Sequence, residues 1–455
     1  MSATRTHDPV QLRRAVLSSY LGSVIEYYDF LLYATASAIV FNKVFFSSLD
    51  PLVATVASFG TLATGYLARP LGGVIFGHFG DLLGRKRMLL LSMTLMGLAS
   101  FLIGLLPTYQ QIGVLAPAGL VLLRVVQGIA VGGEWGGSVL MSAEHATSRR
   151  GLWASFTNAG APSGVVLSTA ALTGTAAIVG DKAFLDWGWR IPFLVSILLL
   201  AVGLFVRLKV EETPAFKAAR RESPVRRVPV LEVLRDRPRT LLLSVGAGMA
   251  AFVAQATLTI FILAYAVRVG HSRQEVLNAL TTSSACAIVS IIAWSALSDR
   301  VGRRPIVISG ALAMAAYSFA LFPLVNNGST AVLVLALIVG QAVIHPMMYG
   351  PLAALYTELF STENRYTGAS LGYQLAGLGA GFTPLLFAQI QQATGATNTF
   401  FISCTMAAFC LLAVGCVLAL KETHQRDLSP ETASERQPAT GVVDAGEATS
   451  VAGLA

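Results

Sequence analysis

Apolar runs long enough to cross a bilayer alternate with short polar connections along most of this chain. They fall at about 16–41, 52–77, 87–106, 113–141, 152–178 and 189–208, and again at about 240–267, 277–297, 305–324, 330–353, 366–393 and 397–420. A bilayer core takes about 20 helical residues, so the pattern predicts an all-α polytopic membrane protein. Its twelve transmembrane helices fall into two groups of six, parted by the polar, Arg- and Pro-rich stretch 209–239. The expected organisation is an N-terminal segment at 1–15, a six-helix bundle at 16–208 and a linker at 209–239. A second six-helix bundle then spans 240–420, and a disordered tail, rich in small and acidic residues, spans 421–455.

Composition supports the pattern. The 455 residues are 54% hydrophobic and 12% charged, against about 25% charged for soluble domains. The net charge of +8 raises nucleic acid as a partner, but its placement removes it. Arg13, Arg14, Arg85, Lys86, Arg87, Arg149, Arg150, the linker cations, Arg300, Arg303, Arg304, Arg365 and Lys421 all fall in alternate connections. By the positive-inside rule those connections, the linker and both termini are cytoplasmic. The first apolar run is followed by many others and reads as a membrane helix, not a cleaved leader. Cys286, Cys404, Cys410 and Cys416 lie in apolar runs without CxxC spacing, so neither a disulfide nor a metal is expected. There is no P-loop, GxSxG or HExxH. An enzyme is therefore not expected, nor is a cofactor.

One element repeats. GHFGDLLGRKR (77–87) follows the second run and SDRVGRRP (298–305) follows the eighth, six runs apart. Two parallel halves joined by a linker fit a transporter whose halves rock about a central site. Gly77, Gly80 and Gly84 allow close helix contact and a tight reversal. Asp81 can accept hydrogen bonds from a neighbouring helix N-terminus, and Arg85 follows it. With Asp299, Arg300 and Arg303 in the second copy, the loops read as a gate that holds one side closed, or as charges that merely set topology.

With these loops, SVIEYYDFLLY (23–33), RVVQGIAVGGEWGG (124–137), WGWRIPFL (187–194), EETPAF (211–216) and ELFSTENRYTGASLGYQ (358–374) complete a set of motifs. The set resembles the metabolite:proton symporters of the major facilitator superfamily over residues 16–420. VIFGHFGDLLGRKRMLLLS and QIGVLAPAGLVLLR look closest to the shikimate-type branch. The resemblance implies proton-coupled uptake of a small organic acid or zwitterion (shikimate, 2-oxoglutarate, citrate, proline or betaine) by a monomer in the bacterial cytoplasmic membrane. A tail without heptads differs from the coiled-coil tail of the osmosensing betaine carriers. The short GAPSG (160–164) also resembles a motif of proton-linked exporters, which leaves export of amphipathic compounds as an alternative.

Charges inside the apolar runs are the candidate site. An ionised group at a helix centre costs about 2.5–3.5 kcal/mol on insertion scales, so each needs a partner or a wet cavity. Gly22, Glu26, Asp29 and Tyr33 share one helix face, as do Arg124, Gln127, Val131 and Glu134. Asp29 is expected to carry the driving proton while Arg124 tunes its protonation. The resemblance implies the same, because proton-coupled sugar carriers have Asp and Arg at the matching positions. A static ion pair is the alternative, and Glu26 and Glu134 carry both readings. Arg69 is either the partner of Glu134 or the cation for a substrate carboxylate, and Arg124 is an alternative cation for that carboxylate. Tyr33, Gln127, Gln255, Gln341, His345, Tyr349 and Gln374 are expected to contribute substrate hydrogen bonds.

Overall fold

A computed structural model describes residues 9–49, 51–146, 148–213, 216, 229–394 and 398–424. The start of the expected N-terminal segment (1–8), part of the linker (214–215 and 217–228) and the tail from 425 lie outside the described residues.

Twelve long helices carry the chain: α1 (Pro9–Ala36), α2 (Pro51–Leu83), α3 (Arg85–Leu105), α4 (Leu115–His145), α5 (Arg150–Val179) and α6 (Arg190–Leu208), then α7 (Pro238–Arg268), α8 (Arg273–Val301), α9 (Arg303–Val325), α10 (Thr330–Leu359), α11 (Arg365–Thr394) and α12 (Phe400–Ala419). Among the described residues, nine are long and apolar enough by length and composition alone to cross a membrane; α1, α2 and α11 are not among those nine. In α1 the reason is visible, since it carries Arg13, Arg14, Glu26 and Asp29. Four π turns occur among the described residues, at Ser37–Phe41 after α1, at Phe184–Gly188 ahead of α6, at Thr257–Phe261 within α7 and at Ile338–Ile344 within α10. The last directly precedes His345 and Pro346, where the proline ring removes one backbone donor.

Helix contacts repeat with a step of six. In the first half α1 packs on α5, α2 on α4, and α3 on both α4 and α6; in the second half α7 packs on α11, α8 on α10, and α9 on α10 and α12. The halves meet through α2 with α11 and α5 with α8, which the same step exchanges. Lipid tails are as apolar as leucine, so such helices associate through close packing of small residues. Gly128 and Gly132 of α4 lie directly against the α2 backbone at Gly65 and Arg69, and Gly160 and Gly164 of α5 lie against Ser23 and Tyr27 of α1. Outward-facing Leu198, Val202 and Phe205 on α6, with Phe400, Leu411 and Leu412 on α12, form part of an apolar belt. Both described chain ends and the connections α2–α3, α4–α5, α8–α9 and α10–α11 share one face of the bundle, here termed the terminal face.

Candidate functional site

On the terminal face, two carboxylates tie the halves together. Asp81, near the end of α2, accepts the backbone N–H of Tyr366 (3.2 Å) and Thr367 (3.0 Å) and the Thr367 hydroxyl (2.9 Å). Its repeat counterpart Asp299, near the end of α8, accepts the N–H of Gly151 (2.8 Å) and Leu152 (2.9 Å). Each acid therefore caps a helix of the opposite half, α11 and α5, where free N–H groups and the helix dipole favour a negative charge. Gly77 and Gly80 lie against Thr367 and Tyr366 with no room for a Cβ.

Behind each cap stands an ion network. Arg85 bonds Glu144 (3.3 Å) and the Thr362 carbonyl (3.2 Å), and Arg365 bonds the same Glu144 oxygen (3.1 Å). Arg303 bonds Glu358 (3.1 Å), Asp299 (2.7 Å) and the Ser298 hydroxyl (2.8 Å). Arg300 is exposed and stands outside these networks. Glu144, Glu358 and a second repeat, a Glu–Thr pair after α6 and again after α12, join the site from outside the residues that the sequence marks as candidates. Glu212 accepts the Lys86 N–H (3.1 Å); Glu422 accepts those of Arg303 and Arg304 (both 3.0 Å). Gly84 and Gly302, at φ +112° and +110°, make the reversals beneath them, a conformation that glycine adopts at no steric cost. The recurrence of LK followed by ET, as LKVEET at 208–213 and LKET at 420–423, is the available signal.

Deeper, aromatic groups from both halves close the centre. The hydroxyls of Tyr27, Tyr349 and Tyr373 form a triangle with sides of 2.7, 3.1 and 3.2 Å. The Trp135 indole stacks on Tyr373 at 3.5 Å and donates to Asn158 (2.8 Å), which in turn donates to the Tyr349 carbonyl (2.7 Å). Gln374 donates to the Gly132 carbonyl (3.1 Å) and so bridges α11 to α4. Beside the triangle, Gln255, Gln341, His345 and Tyr349 converge with Ala161, Pro162 and Val165 on one cavity between the halves. Its free volume of about 20 Å³ has room for about one water, so a solute enters only when the helices part. Gln341 is held by Ser283 (3.0 Å) and Ser284 (2.9 Å), and His345 contacts the Ala251 carbonyl (3.2 Å).

The remaining candidates lie within the first half. Asp29 is fully buried; one oxygen accepts the Ser196 hydroxyl of α6 (2.5 Å) and the other has no hydrogen-bond partner. Arg124 acts on Asp29 electrostatically without a direct ion pair, and Ser100 of α3 lies beside it. Arg124 rests on the rings of Phe30 and Tyr33 and donates to Gln127 (3.1 Å), which donates to Ser100 (2.7 Å). Tyr33 donates to Thr61 (2.6 Å).

Glu134 forms a buried ion pair, but not with Arg69. Its partner is Arg207 of α6, in a two-point contact completed by Ser92 (2.8 Å) and Ser138 (3.1 Å). Arg69 does not reach it and stacks on Phe30 and Tyr66. The reason is packing: α4 carries Glu134 toward α3 and the end of α6, while the Arg69 side chain turns toward α1. Glu26 is buried, and one of its oxygens meets no donor. Among the described residues no His, Cys, Asp or Glu group has metal-site spacing.

The family model described as Major Facilitator Superfamily matches residues 20–289 and 246–450. The shikimate transporter of Escherichia coli K12 is 39% identical over 420 residues, covering 91% of this chain and 95% of that protein. The proline/betaine transporter of Salmonella typhimurium is 32% identical, covering 96% and 89%. Among solved structures, the proton:xylose symporter XylE bound to 6-bromo-6-deoxy-D-glucose superimposes with a TM-score of 0.71 at 19% identity, covering 90% of this chain and 95% of that one. These matches, with the twofold repeat of helices and capping acids, place the protein among multi-pass membrane transporters and not among enzymes: the chain belongs to the Major Facilitator Superfamily.

Proposed function

We propose that the protein takes up a small organic acid of the shikimate type together with protons, by alternating access. The observation that carries the reading is Asp29, buried on α1 with one carboxylate oxygen on Ser196 and the other without a partner. It is faced by Arg124 from α4, Ser100 from α3, Ser196 from α6 and, on its own helix, Tyr28. An ionised acid at this depth costs about 2.5–3.5 kcal/mol unless compensated. Protonation removes the charge, so the occluded form is crossed cheaply only with the proton bound. Proton and solute then cross together. The alternating concentration of cations supports a cytoplasmic terminal face in a bacterial inner membrane. The two capping acids serve as its gate, engaged in the form described here. The converging Gln255, Gln341, His345 and Tyr349 supply donors and acceptors for a hydroxylated ring.

Uptake of labelled shikimate into proteoliposomes, driven by an imposed inward proton gradient, tests the reading. The gradient accelerates uptake, a protonophore abolishes accumulation, and Asp29→Asn loses accumulation while still exchanging solute down its own gradient. Equal accumulation by Asp29→Asn and the parent removes Asp29 from the coupling step. A gradient that accelerates efflux instead assigns export.

A further inference from the structure

Two buried guanidinium groups are left without a carboxylate partner among the described residues. Arg69 of α2 and Arg124 of α4 both lie over the Phe30 ring of α1, with Cζ atoms 4.3 and 4.4 Å from its centre. The two cations therefore sit less than about 9 Å apart. Arg69 also covers the Tyr66 ring at 4.8 Å, and Arg124 covers Tyr33 at 4.2 Å. They are 4% and 1% exposed. Asp29 and Glu26 influence them from a distance, but neither forms an ion pair with them. The Nε of each and the Nη2 of Arg124 meet no acceptor. Buried donors are satisfied in nearly all folded proteins, and arginine does not lose its charge. These donors call for an acceptor that comes and goes.

We propose that Arg69 and Arg124 form the anion site of the transporter, which takes a solute carboxylate between them and confines transport to organic anions. The inference deepens the proposed function by assigning the charge of its solute, and rests on that reading only for transport, not for the coupling ion. Arginine presents planar paired N–H donors that match a carboxylate, and the aromatic rings hold both planes in place. The same rings exclude the other chemistry met among the relatives. A quaternary ammonium is recognised by open aromatic faces, but Phe30, Tyr33 and Tyr66 are already covered by guanidinium groups. A solute carrying its own cation would meet two like charges at close range. A glycine at position 65 leaves the space through which the Arg124 side chain passes.

Binding to purified protein in nanodiscs, measured at fixed pH without a gradient, tests this. The probes are shikimate, 2-oxoglutarate, citrate, the methyl ester of shikimate and glycine betaine. At least one acid binds, while the ester and glycine betaine bind about tenfold more weakly or not at all. Arg69→Gln and Arg124→Gln each weaken the bound acid about tenfold or more. If either variant fails to fold, the acid and ester comparison on the parent protein still decides. The proposal is overturned if glycine betaine or the ester binds as well as the acids, if no acid binds, or if both folded Gln variants keep full affinity. Failure of proton coupling shows up separately, as gradient-independent uptake with this binding intact.

Discussion

Asp81→Asn perturbs one capping acid of the proposed gate and leaves its shape in place. The carboxylate accepts two backbone N–H groups and a hydroxyl at the start of α11, and is buried. Asparagine keeps one accepting oxygen but turns an NH2 donor toward groups that are themselves donors. A charge-assisted hydrogen bond contributes about 1.5–3 kcal/mol, and the helix-terminus term adds up to ~2 kcal/mol in a partly buried setting. Since one acceptor survives, the net loss is about 2–4 kcal/mol. These contacts join opposite halves and so exist only while the terminal face is closed. The loss passes into the equilibrium between closed and open forms, a shift of about 30- to 700-fold toward open. Spin labels at Arg87 on α3 and Arg300 on α8, both exposed and on opposite halves, report it by pulsed electron resonance. Asp81→Asn adds a longer-distance population, and Asp81→Asn with Asp299→Asn enlarges it. If the double variant gives the distance distribution of the parent, the two acids are scaffolding and the gating argument fails.

Glu134→Gln strands the buried Arg207 and lowers stability by about 3–5 kcal/mol, read as a drop in melting temperature in detergent. Loss of proton coupling at unchanged melting temperature would instead return Glu134 to the coupling step. Gly84→Ala forces a side chain into φ +112° beside Glu212 and costs about 1–3 kcal/mol; a variant as heat-stable as the parent refutes the need for glycine there. At Glu422, beyond α12, burial works against ionisation, but the backbone N–H groups of Arg303, Thr423, Arg304 and His424 outweigh it and hold the carboxyl below the usual carboxylate range. Its contribution is therefore present above pH of about 4.3 and fades as acid carries the solution through the lowered value. Glu422→Gln flattens that acid limb in a melting-temperature series, and an unchanged limb removes Glu422 as its source.

How far the sequence could be read depends on what each residue type reveals by itself. Helix number follows from the alternation of apolar runs with polar connections, and Asp29 stands out because a carboxylate in an apolar run is costly wherever it lies. Periodicity placed Glu26, Asp29 and Tyr33 on one face of α1, but a face does not name its neighbour. Asp29 meets Ser196, 167 residues away, and a serine in an apolar run gives no sign of its task. Arg207 was missed for a related reason. A single arginine at the end of a membrane helix reads as an interfacial anchor, yet this one turns inward to Glu134 across 73 residues. The capping acids are legible as a repeat, while their acceptor role depends on α11 and α5 arriving from the opposite half, 285 residues away for Asp81 and Tyr366. Charge thus marks where compensation is needed, and the compensating groups are those the sequence leaves unmarked: hydroxyls, backbone N–H groups and aromatic faces. Arg69 and Arg124 follow the same logic one step further, since rings alone do not satisfy their donors, and that remaining demand is what a solute can meet.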